Sequence, residues 1–198
     1  MVKKLSKVIV ATLLVASSLT AELTDNSMYK FNINSLIGFE AGYSGFDYER
    51  TTSGVTDARE TVNINHGGIK IGAESENYRL FLSARAFDGG DFDYARAYGV
   101  EVQYLLNFSK MANVYFGVNA GKVDMRFADK TNNKTVKLSN GYMGGDVGVN
   151  VHLGKSADFE VGARLMSLNA SATDGAVTYD FDNIVTGYAS IIFKYQMD

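Results

Sequence analysis

The stretch "FNINSLIGFEAGYS", residues Phe31 to Ser44, alternates between two kinds of side chain. Its odd positions are nearly all apolar or aromatic, and its even positions carry mainly amide, glycine, carboxylate or hydroxyl groups. Side chains of a β-strand point alternately to opposite faces, so this period of two predicts a strand with two unlike faces. The stretch is also about twice as long as a usual strand in a globular protein.

The same alternation recurs along the rest of the chain and predicts seven further strands. They cover residues 61–74, 78–87, 94–106, 114–121, 146–153, 159–165 and 185–195. In the second strand the phase changes at Gly67 and Gly68, where we predict a β-bulge. The chain contains no proline, which suits a protein made mostly of paired strands because proline cannot donate to a sheet. We expect a single all-β domain.

The N-terminus has the pattern of a secretory signal peptide. Three lysines precede a short apolar core, Val8 to Ala16, and Ala21 is the expected last residue before cleavage. The core is well short of the ~20 residues that a membrane-spanning helix needs. We therefore assign residues 1–21 to a cleaved signal peptide and residues 22–198 to the barrel domain. Cleavage leaves 16 basic and 22 acidic residues, a charge of −6, which does not favour nucleic acid as a partner.

The connections between the predicted strands alternate in length. Those after strands two, four and six are short, and those after strands one, three, five and seven are longer or more polar. An antiparallel meander with an even number of strands places alternate connections on the same rim. Short turns on one rim and long loops on the other are typical of bacterial outer-membrane barrels.

The composition of the two faces indicates which one meets lipid. The polar faces are rich in glycine, which suits a narrow lumen with little room for large side chains. The apolar faces carry almost no charge, except Arg96 and Lys122 near the long-loop rim. Aromatic residues cluster towards both ends of the apolar faces, as in the interfacial girdles of membrane barrels. We therefore expect an eight-stranded antiparallel up-and-down transmembrane β-barrel rather than a soluble barrel of the lipocalin type.

The signal peptide, the eight strands and the closing "GYASIIFKY" together resemble the small outer-membrane β-barrels of Gram-negative bacteria, of the kind that forms the membrane domain of outer-membrane protein A. The resemblance covers about Tyr29 to Tyr195. It implies a bacterial outer-membrane location, with both termini in the periplasm, and a last strand that the outer-membrane assembly machinery recognises. The residues that fit this C-terminal assembly signal are Gly187, Ala189, Ile191, Phe193 and Tyr195. Three residues, Gln196 to Asp198, follow the aromatic that is usually terminal.

Isolated charges on the polar faces predict an ion-pair network inside the barrel. Its members are Glu40, Glu74, Arg79, Arg85, Glu101, Asp146, Glu160, Arg164 and Lys194. Symmetric hairpins would place Glu74 and Glu101 beside Arg79, His152 opposite Glu160, and Arg164 diagonal to Asp146. Such a network forms either a gated polar path or a permanent plug. Because buried charges need partners in any case, we favour the plug.

The sequence gives little support for two other kinds of site, a catalytic site and a metal site. A lipid-modifying enzyme would need a histidine with a nucleophile, and His66 with Ser44 or Ser53 shows no legible spacing. The acidic segment "DGGDFD", residues 88–93, lacks the ligand periodicity of a calcium loop, so we interpret it as a solvated turn. We predict no catalytic residue, no metal site and no cofactor.

The resulting functional prediction is an outer-membrane barrel with a structural or envelope-integrity role. Low-conductance passage of ions or small polar solutes through the charged lumen is left open. The alternative is a surface adhesin or receptor that acts through the long loops, since loops on rigid scaffolds often bind ligands. Expected partners are outer-membrane lipid and lipopolysaccharide, the outer-membrane assembly machinery and a surface ligand.

Overall fold

The computed structural model describes residues 33–129 and 134–196, which form eight antiparallel strands closed into one barrel. Each strand pairs with its neighbours in sequence, and the first closes the barrel by pairing with the last. The strands are β1 Asn34–Thr52, β2 Val55–Ser75, β3 Tyr78–Asp88, β4 Phe92–Asn107, β5 Ala112–Asp129, β6 Lys134–His152, β7 Ala157–Asp174 and β8 Val177–Gln196. The predicted eight-stranded up-and-down barrel is therefore confirmed.

Some of the sequence predictions fall outside the described residues. These are the signal peptide, residues 1–21, the first two residues of the opening stretch, and the end of the C-terminal tail. Within the described part of the chain, no helix is long and apolar enough to cross a membrane.

Strands β3 and β4 lie within two residues of their predicted bounds, but the other six are longer than predicted, and most of the predicted long loops are strand. The segment 46–60 is an antiparallel hairpin in which only residues 53 and 54 separate β1 from β2. The segment 169–180 is likewise a hairpin, with residues 175 and 176 between β7 and β8. Positive φ angles at Gly54 (83°) and Gly175 (67°) allow these tight turns, because glycine adopts that region without steric cost.

The predicted bulge at Gly67 and Gly68 is also wrong. These residues pair in unbroken register with Ala41 and Glu40, and the register shift between β1 and β2 lies at Arg50/Thr51. Even-numbered residues of β2 face the interior along the whole membrane-facing length of the strand. The sequence suggested a β-bulge because the apolar residues move from one face of the strand to the other. The backbone itself continues to point successive side chains to opposite faces.

The half of the barrel nearest Asn34 and Gln196 has an apolar exterior, which we call the lipid belt. Phe39 is 54% exposed and Ile69 is 55% exposed. The lipid belt comprises Ile37, Phe39, Tyr43, Ile69, Ile71, Leu80, Tyr98, Val100, Val102, Tyr104, Phe116, Val118, Met143, Val147, Val149, Val151, Phe159, Val161, Leu165, Val185, Ile191, Phe193 and Tyr195. A continuous apolar surface of this size suits bilayer hydrocarbon and not water.

Beyond the lipid belt the barrel continues as a segment that we call the distal extension. On β1 the lipid belt ends at Tyr43, and the next outward residues are Gly45, Asp47 and Glu49. Outward positions of the other strands also become polar, among them Arg59, Thr61, Asn63, Arg96, Lys122, Asp124, Arg126, Lys137, Ser139, Ser171 and Asp180. The exterior therefore changes from a lipid-facing to a water-facing surface along the same strands.

The two rims differ accordingly. We call the rim at Asn34 and Gln196 the terminal rim, because both ends of the barrel lie there. The hairpin connections 76–77, 108–111 and 153–156 also lie on the terminal rim. The opposite, distal rim carries the ends of the distal extension.

Candidate functional site in the barrel interior

A group of ion-paired residues lies inside the lipid belt near the terminal rim, and we call it the terminal cluster. Its centre is Arg79, whose Nε donates to Glu74 Oε2 at 2.5 Å and whose Nη2 donates to Asp158. Lys194 Nζ lies 3.0 Å from Glu74 Oε1 and 2.8 Å from Asp158 Oδ2. Two carboxylates and two cations therefore alternate around this cluster.

A second group, the central cluster, lies further from the terminal rim. Both terminal nitrogens of Arg164 reach Glu40, at 2.8 and 3.1 Å, and Arg85 Nε donates to the same carboxylate at 2.7 Å. Arg85 and Arg164 also donate to Glu101, the latter at 3.2 Å. His66 Nε2 lies 3.1 Å from Glu40 Oε1. Each carboxylate in this cluster is thus shared by two arginines.

Lys70 connects the two clusters. Its Nζ donates to Glu160 Oε1 at 2.5 Å and lies 3.9 Å from Glu40 Oε2. The other oxygen of Glu160 lies 3.6 Å from Arg79 Nη1. The ammonium group is also 4.9 Å from the centre of the Phe81 ring, within the range of a cation–π contact. The polar interior is consequently one continuous electrostatic network.

The network is buried as well as continuous, except at the terminal rim, where the side chains of Glu74 and Lys194 are 11% and 12% exposed. The side chains of Glu101, Glu160, Arg79 and Arg164 are all 0% exposed. An unpaired charge in such a place is very costly, whereas a charge with several partners is tolerated. The pairing therefore makes a polar interior compatible with folding.

The structure places all nine predicted network residues in the barrel interior and contains the predicted Glu74–Arg79 pair, but it changes the other partners. Arg79 binds Asp158 across the lumen and forms no ion pair with Glu101 among the described residues. His152 pairs in register with Asp158 and not with Glu160, and its Nδ1 lies 2.7 Å from Asp158 Oδ1. The predicted pairs assumed contacts along neighbouring strands, whereas long side chains in a narrow closed barrel also reach across it.

Arg164 and Asp146 differ from the prediction in another way. They lie directly opposite each other in the β6–β7 register, not on a diagonal, yet Arg164 turns into the central cluster. Asp146 instead accepts hydrogen bonds from Gln103 Nε2 at 3.1 Å and Asn119 Nδ2 at 3.3 Å. Neutral amides thus satisfy this buried carboxylate.

Three members of the network were not predicted. Lys70 lies on the inward face of β2, between Ile69 and Ile71, so the alternation alone was sufficient to find it. His66 was obscured by the supposed change of phase at the following glycine. Asp158 was read as part of a turn, although it is an inward residue at the start of β7.

Two tyrosines cross the lumen beside the central cluster. The hydroxyl groups of Tyr115 and Tyr188 are 2.7 Å apart, and the Arg164 guanidinium lies 4.3 Å from the centre of the Tyr188 ring. A β-carbon at Gly148 or Gly162 would overlap the Tyr115 hydroxyl. The glycines of these inward faces therefore provide space for large side chains from opposite strands.

Above the central cluster, inside the distal extension, the interior becomes apolar. We call this region the apolar plug: Phe46, Tyr48, Ile64, Phe87, Ala95, Ala97, Val123, Met125, Phe127, Val136, Leu138, Tyr142, Met166, Leu168, Ala170, Tyr179, Phe181 and Ile184. Phe127 is central to it, with ring centres 5.1 Å from Tyr48 and 5.5 Å from both Tyr179 and Phe181. The barrel is therefore polar inside and apolar outside within the lipid belt, and the reverse beyond it.

At the boundary between these regions, Ser44, His66 and Glu40 form a hydrogen-bonded line. Ser44 Oγ is 3.2 Å from His66 Nδ1, and His66 Nε2 is 3.1 Å from Glu40. The order of groups is that of a hydrolytic triad. Ser44 is 0% exposed and also contacts Thr186 Oγ1 at 2.9 Å, so a substrate has no route to its hydroxyl. The geometry supports a structural hydrogen-bond chain.

The acidic segment 88–93 does not gather metal ligands. Asp93 Oδ2 lies 3.0 Å from Arg126 Nε. Among the described residues, no group of three or more histidine or carboxylate side chains is placed to hold a metal ion.

Two titratable groups on the distal extension are perturbed. Tyr48 is turned inward, and its hydroxyl donates to Glu60 Oε2 at 3.0 Å. Burial, together with the hydrogen bond and charge of Glu60, raises the pKa of Tyr48 to about 12. A hydrogen bond from Thr56 and the neighbouring Arg59 lower the pKa of Glu49.

The predicted C-terminal assembly signal lies on β8. Ala189, Ile191, Phe193 and Tyr195 point outward, and the last three belong to the lipid belt. Ala189 and Phe193 pair with Ala41 and Ile37 of β1, so the same strand closes the barrel.

Comparisons with known proteins agree with this architecture. No protein-family model matches the chain, and no curated protein matches it in sequence. Among solved structures, Neisserial surface protein A is similar over 80% of this chain and 97% of its own, with 12% identity and a TM-score of 0.57. Ail, the attachment invasion locus protein of Yersinia pestis, has 10% identity, coverage of 81% and 99%, and a TM-score of 0.46. The outer membrane protease OmpT of Escherichia coli has 9% identity, coverage of 85% and 99%, and a TM-score of 0.45.

At this identity the likeness to Neisserial surface protein A concerns the fold, and the other two are too distant in structure to support an argument. The closed eight-stranded fold and the lipid belt together define the class: a small transmembrane β-barrel with the fold of the outer-membrane type. A particular relationship to outer-membrane protein A stays a prediction.

Proposed function

We propose that the protein is a non-conducting structural barrel that anchors a folded β-extension at the surface of the bacterial outer membrane. The observation that carries this proposal is the interior, where the dry ion-paired network lies below the apolar plug. A permeating ion would have to break pairs such as Arg79–Asp158 and then cross a layer of packed aromatic rings. Neither region provides a water-filled path, because eight strands enclose a space that side chains can fill.

The proposed orientation rests on the difference between the two rims. Turns are short on both, but those of the terminal rim directly follow the lipid belt, whereas on the other rim the hairpins continue as the polar distal extension. Outer-membrane barrels keep their short excursions on the periplasmic side and their long ones outside the cell, so we place the terminal rim in the periplasm and the distal extension outside. The chain contains no cysteine, which allows clean single-site labelling. A membrane-impermeant maleimide should modify Thr52→Cys on intact cells and leave Ser156→Cys unmodified; the reverse pattern would contradict the orientation.

Planar-bilayer recording tests whether the barrel interior is closed to ions. The wild-type protein should give no stable unitary conductance under conditions in which a porin control conducts. Arg79→Ala should be less stable and still silent, because the apolar plug remains in place above the altered cluster. Stable wild-type channels would contradict the proposal, and an Arg79→Ala channel would show that the ion pairs and not the apolar plug close the barrel.

Recognition of a surface ligand is the second candidate function, and the structure changes where it would occur. The segments that were expected to be loops are strands with short turns, so a ligand would meet the outer wall of the distal extension. The fixed, paired backbone of that wall favours a preformed binding surface. We propose no enzymatic role, because Ser44, the one serine in line with a histidine and a carboxylate among the described residues, is completely buried.

A further inference from the structure

The outer wall of the distal extension carries a basic patch on β4, β5 and β6. Its members are Arg96, Lys122, Arg126 and Lys137, all on outward-facing positions. Lys122 is paired in register with Tyr98, the last residue of the lipid belt on β4. The basic patch therefore begins at the level where the lipid belt ends.

The basic patch is neutralised only in part by the residues that the structure describes. Lys122 Nζ lies 3.7 Å from Asp124, which is also paired in register with Arg96, and Arg126 Nε lies 3.0 Å from Asp93. The Arg96 guanidinium lies 5.7 Å from the centre of the Tyr94 ring. Lys137 has no ion-pair partner among the residues that the structure describes.

One pair of residues within the basic patch is unfavourable by itself. Arg126 and Lys137 are directly opposite each other in the β5–β6 register. Like charges at directly opposed positions destabilise a sheet, because their side chains lie side by side on one face. Asp93 already pairs with Arg126, whereas Lys137 has no such partner among the described residues, so an anion beside Lys137 would reduce the remaining repulsion and gain charge-assisted hydrogen bonds.

The opposite wall of the distal extension is acidic. Outward positions of β8 and β1 carry Asp47, Glu49, Asp180 and Asp182. The neighbouring cation Arg59 is already bound to Glu49, with Nε 2.7 Å from Oε2. Positive charge is thus concentrated on one side of the distal extension and is not a general property of its surface.

We propose that the basic patch binds the phosphorylated headgroup of a glycolipid of the outer leaflet. Arginine suits phosphate because its guanidinium donates two parallel hydrogen bonds, and lysine adds a point charge. Directly below the patch, Val100, Val118 and Met143 belong to the lipid belt, so the acyl chains of the same molecule would lie against them. A soluble anion would use only the charges, whereas a glycolipid matches both the charges and the adjoining apolar wall.

This inference rests on the proposed orientation, since the basic patch must lie at the level of the outer-leaflet headgroups. Binding of diphosphoryl lipid A to the folded protein in neutral detergent micelles, measured by native mass spectrometry, tests it. The wild type should bind diphosphoryl lipid A and should bind a fully dephosphorylated form at least about tenfold more weakly, because the charge-assisted contacts are lost. Inorganic phosphate at the same concentration should neither bind nor compete.

Lys137→Gln should weaken binding about tenfold, and Arg126→Gln with Lys137→Gln should weaken it further. Arg59→Gln is the matched control, since it removes one outward positive charge from the opposite wall and should leave affinity unchanged. Unaltered far-ultraviolet circular dichroism would show that each variant is folded. Equal affinity of the wild type and the double variant would overturn the proposal, and so would displacement by inorganic phosphate.

Micelles have no inside or outside, so the binding result does not depend on orientation. Failure of Thr52→Cys labelling with intact phosphate-dependent binding would contradict the orientation, and with it the outer-leaflet assignment, but not the phosphate-binding site. Correct labelling without phosphate-dependent binding would contradict the glycolipid site alone.

Discussion

Lys70 of β2 and Glu160 of β7 form an ion pair across the lumen, with Nζ 2.5 Å from Oε1, although β1 and β8 separate their strands. Their side chains are 1% and 0% exposed. This pair joins the terminal cluster to the central cluster, and it lies where no water can replace a lost partner. The stability of the barrel should therefore depend on it strongly.

Lys70→Met should lower the free energy of unfolding by about 3–5 kcal/mol, because it leaves Glu160 without its shortest contact in a dry site. The double variant Lys70→Met with Glu160→Gln should recover part of that loss, since the unpaired charge is the costly element. Urea unfolding in lipid vesicles measures the free energy of unfolding of the single and the double variant. A double variant that is less stable than Lys70→Met would contradict this explanation.

The partners of Arg79 can be separated by double-mutant cycles. Arg79→Ala and Asp158→Ala should be strongly non-additive, with a coupling of about 0.5–3 kcal/mol, because the two side chains are in direct contact. Arg79→Ala and Glu101→Ala should be closer to additive, because Glu101 is bound by Arg85 and Arg164. Stronger coupling of Arg79 to Glu101 than to Asp158 would favour the pairing that was expected from the sequence.

The position at which the lipid belt ends can be tested with two residues of a single strand. Val149 and Ser139 both face outward on β6, and Val149 alone lies in the lipid belt. Val149→Arg should cost about 2–4 kcal/mol in lipid vesicles because it places a charge in hydrocarbon. Ser139→Arg should change stability by no more than about 0.5 kcal/mol, as for an ordinary surface position. Equal costs would show that the bilayer covers the distal extension as well.

The raised pKa of Tyr48 predicts a loss of stability in alkali. The folded protein holds Tyr48 neutral up to a pKa of about 12, whereas an unfolded tyrosine ionises near pH 10. Its contribution is complete below about pH 10 and declines as the pH rises through the folded value of about 12. Tyr48→Phe cannot ionise, so the difference in unfolding free energy between the two proteins should change only above about pH 10. A constant difference up to pH 12 would contradict the effect of burial.

Much of the architecture was determined by the sequence alone. A period of two depends only on backbone geometry, so residues such as Phe39 and Glu40 were assigned to opposite faces without any tertiary information. The closed meander of eight strands followed from that alternation and from the turns between its repeats.

The pattern alone did not show that the two faces exchange character along the strand. Ile69 and Ile71 face outward, whereas Val62 and Ile64 of the same strand face the barrel interior. Periodicity separates two sides of a strand but does not say which one meets water, and beyond the lipid belt the surrounding solvent changes. The long hairpins therefore looked like polar loops, and the reversal looked like a bulge.

The partners of the buried charges were decided only by closure of the barrel. The sequence placed Glu74 beside Arg79 because a two-residue turn brings them together. It did not bring Arg79 to Asp158 or Lys70 to Glu160, which are 79 and 90 residues apart. Those contacts exist because a narrow lumen brings long side chains from opposite walls within hydrogen-bonding distance, and in a dry interior each charge must take the partner that this geometry provides.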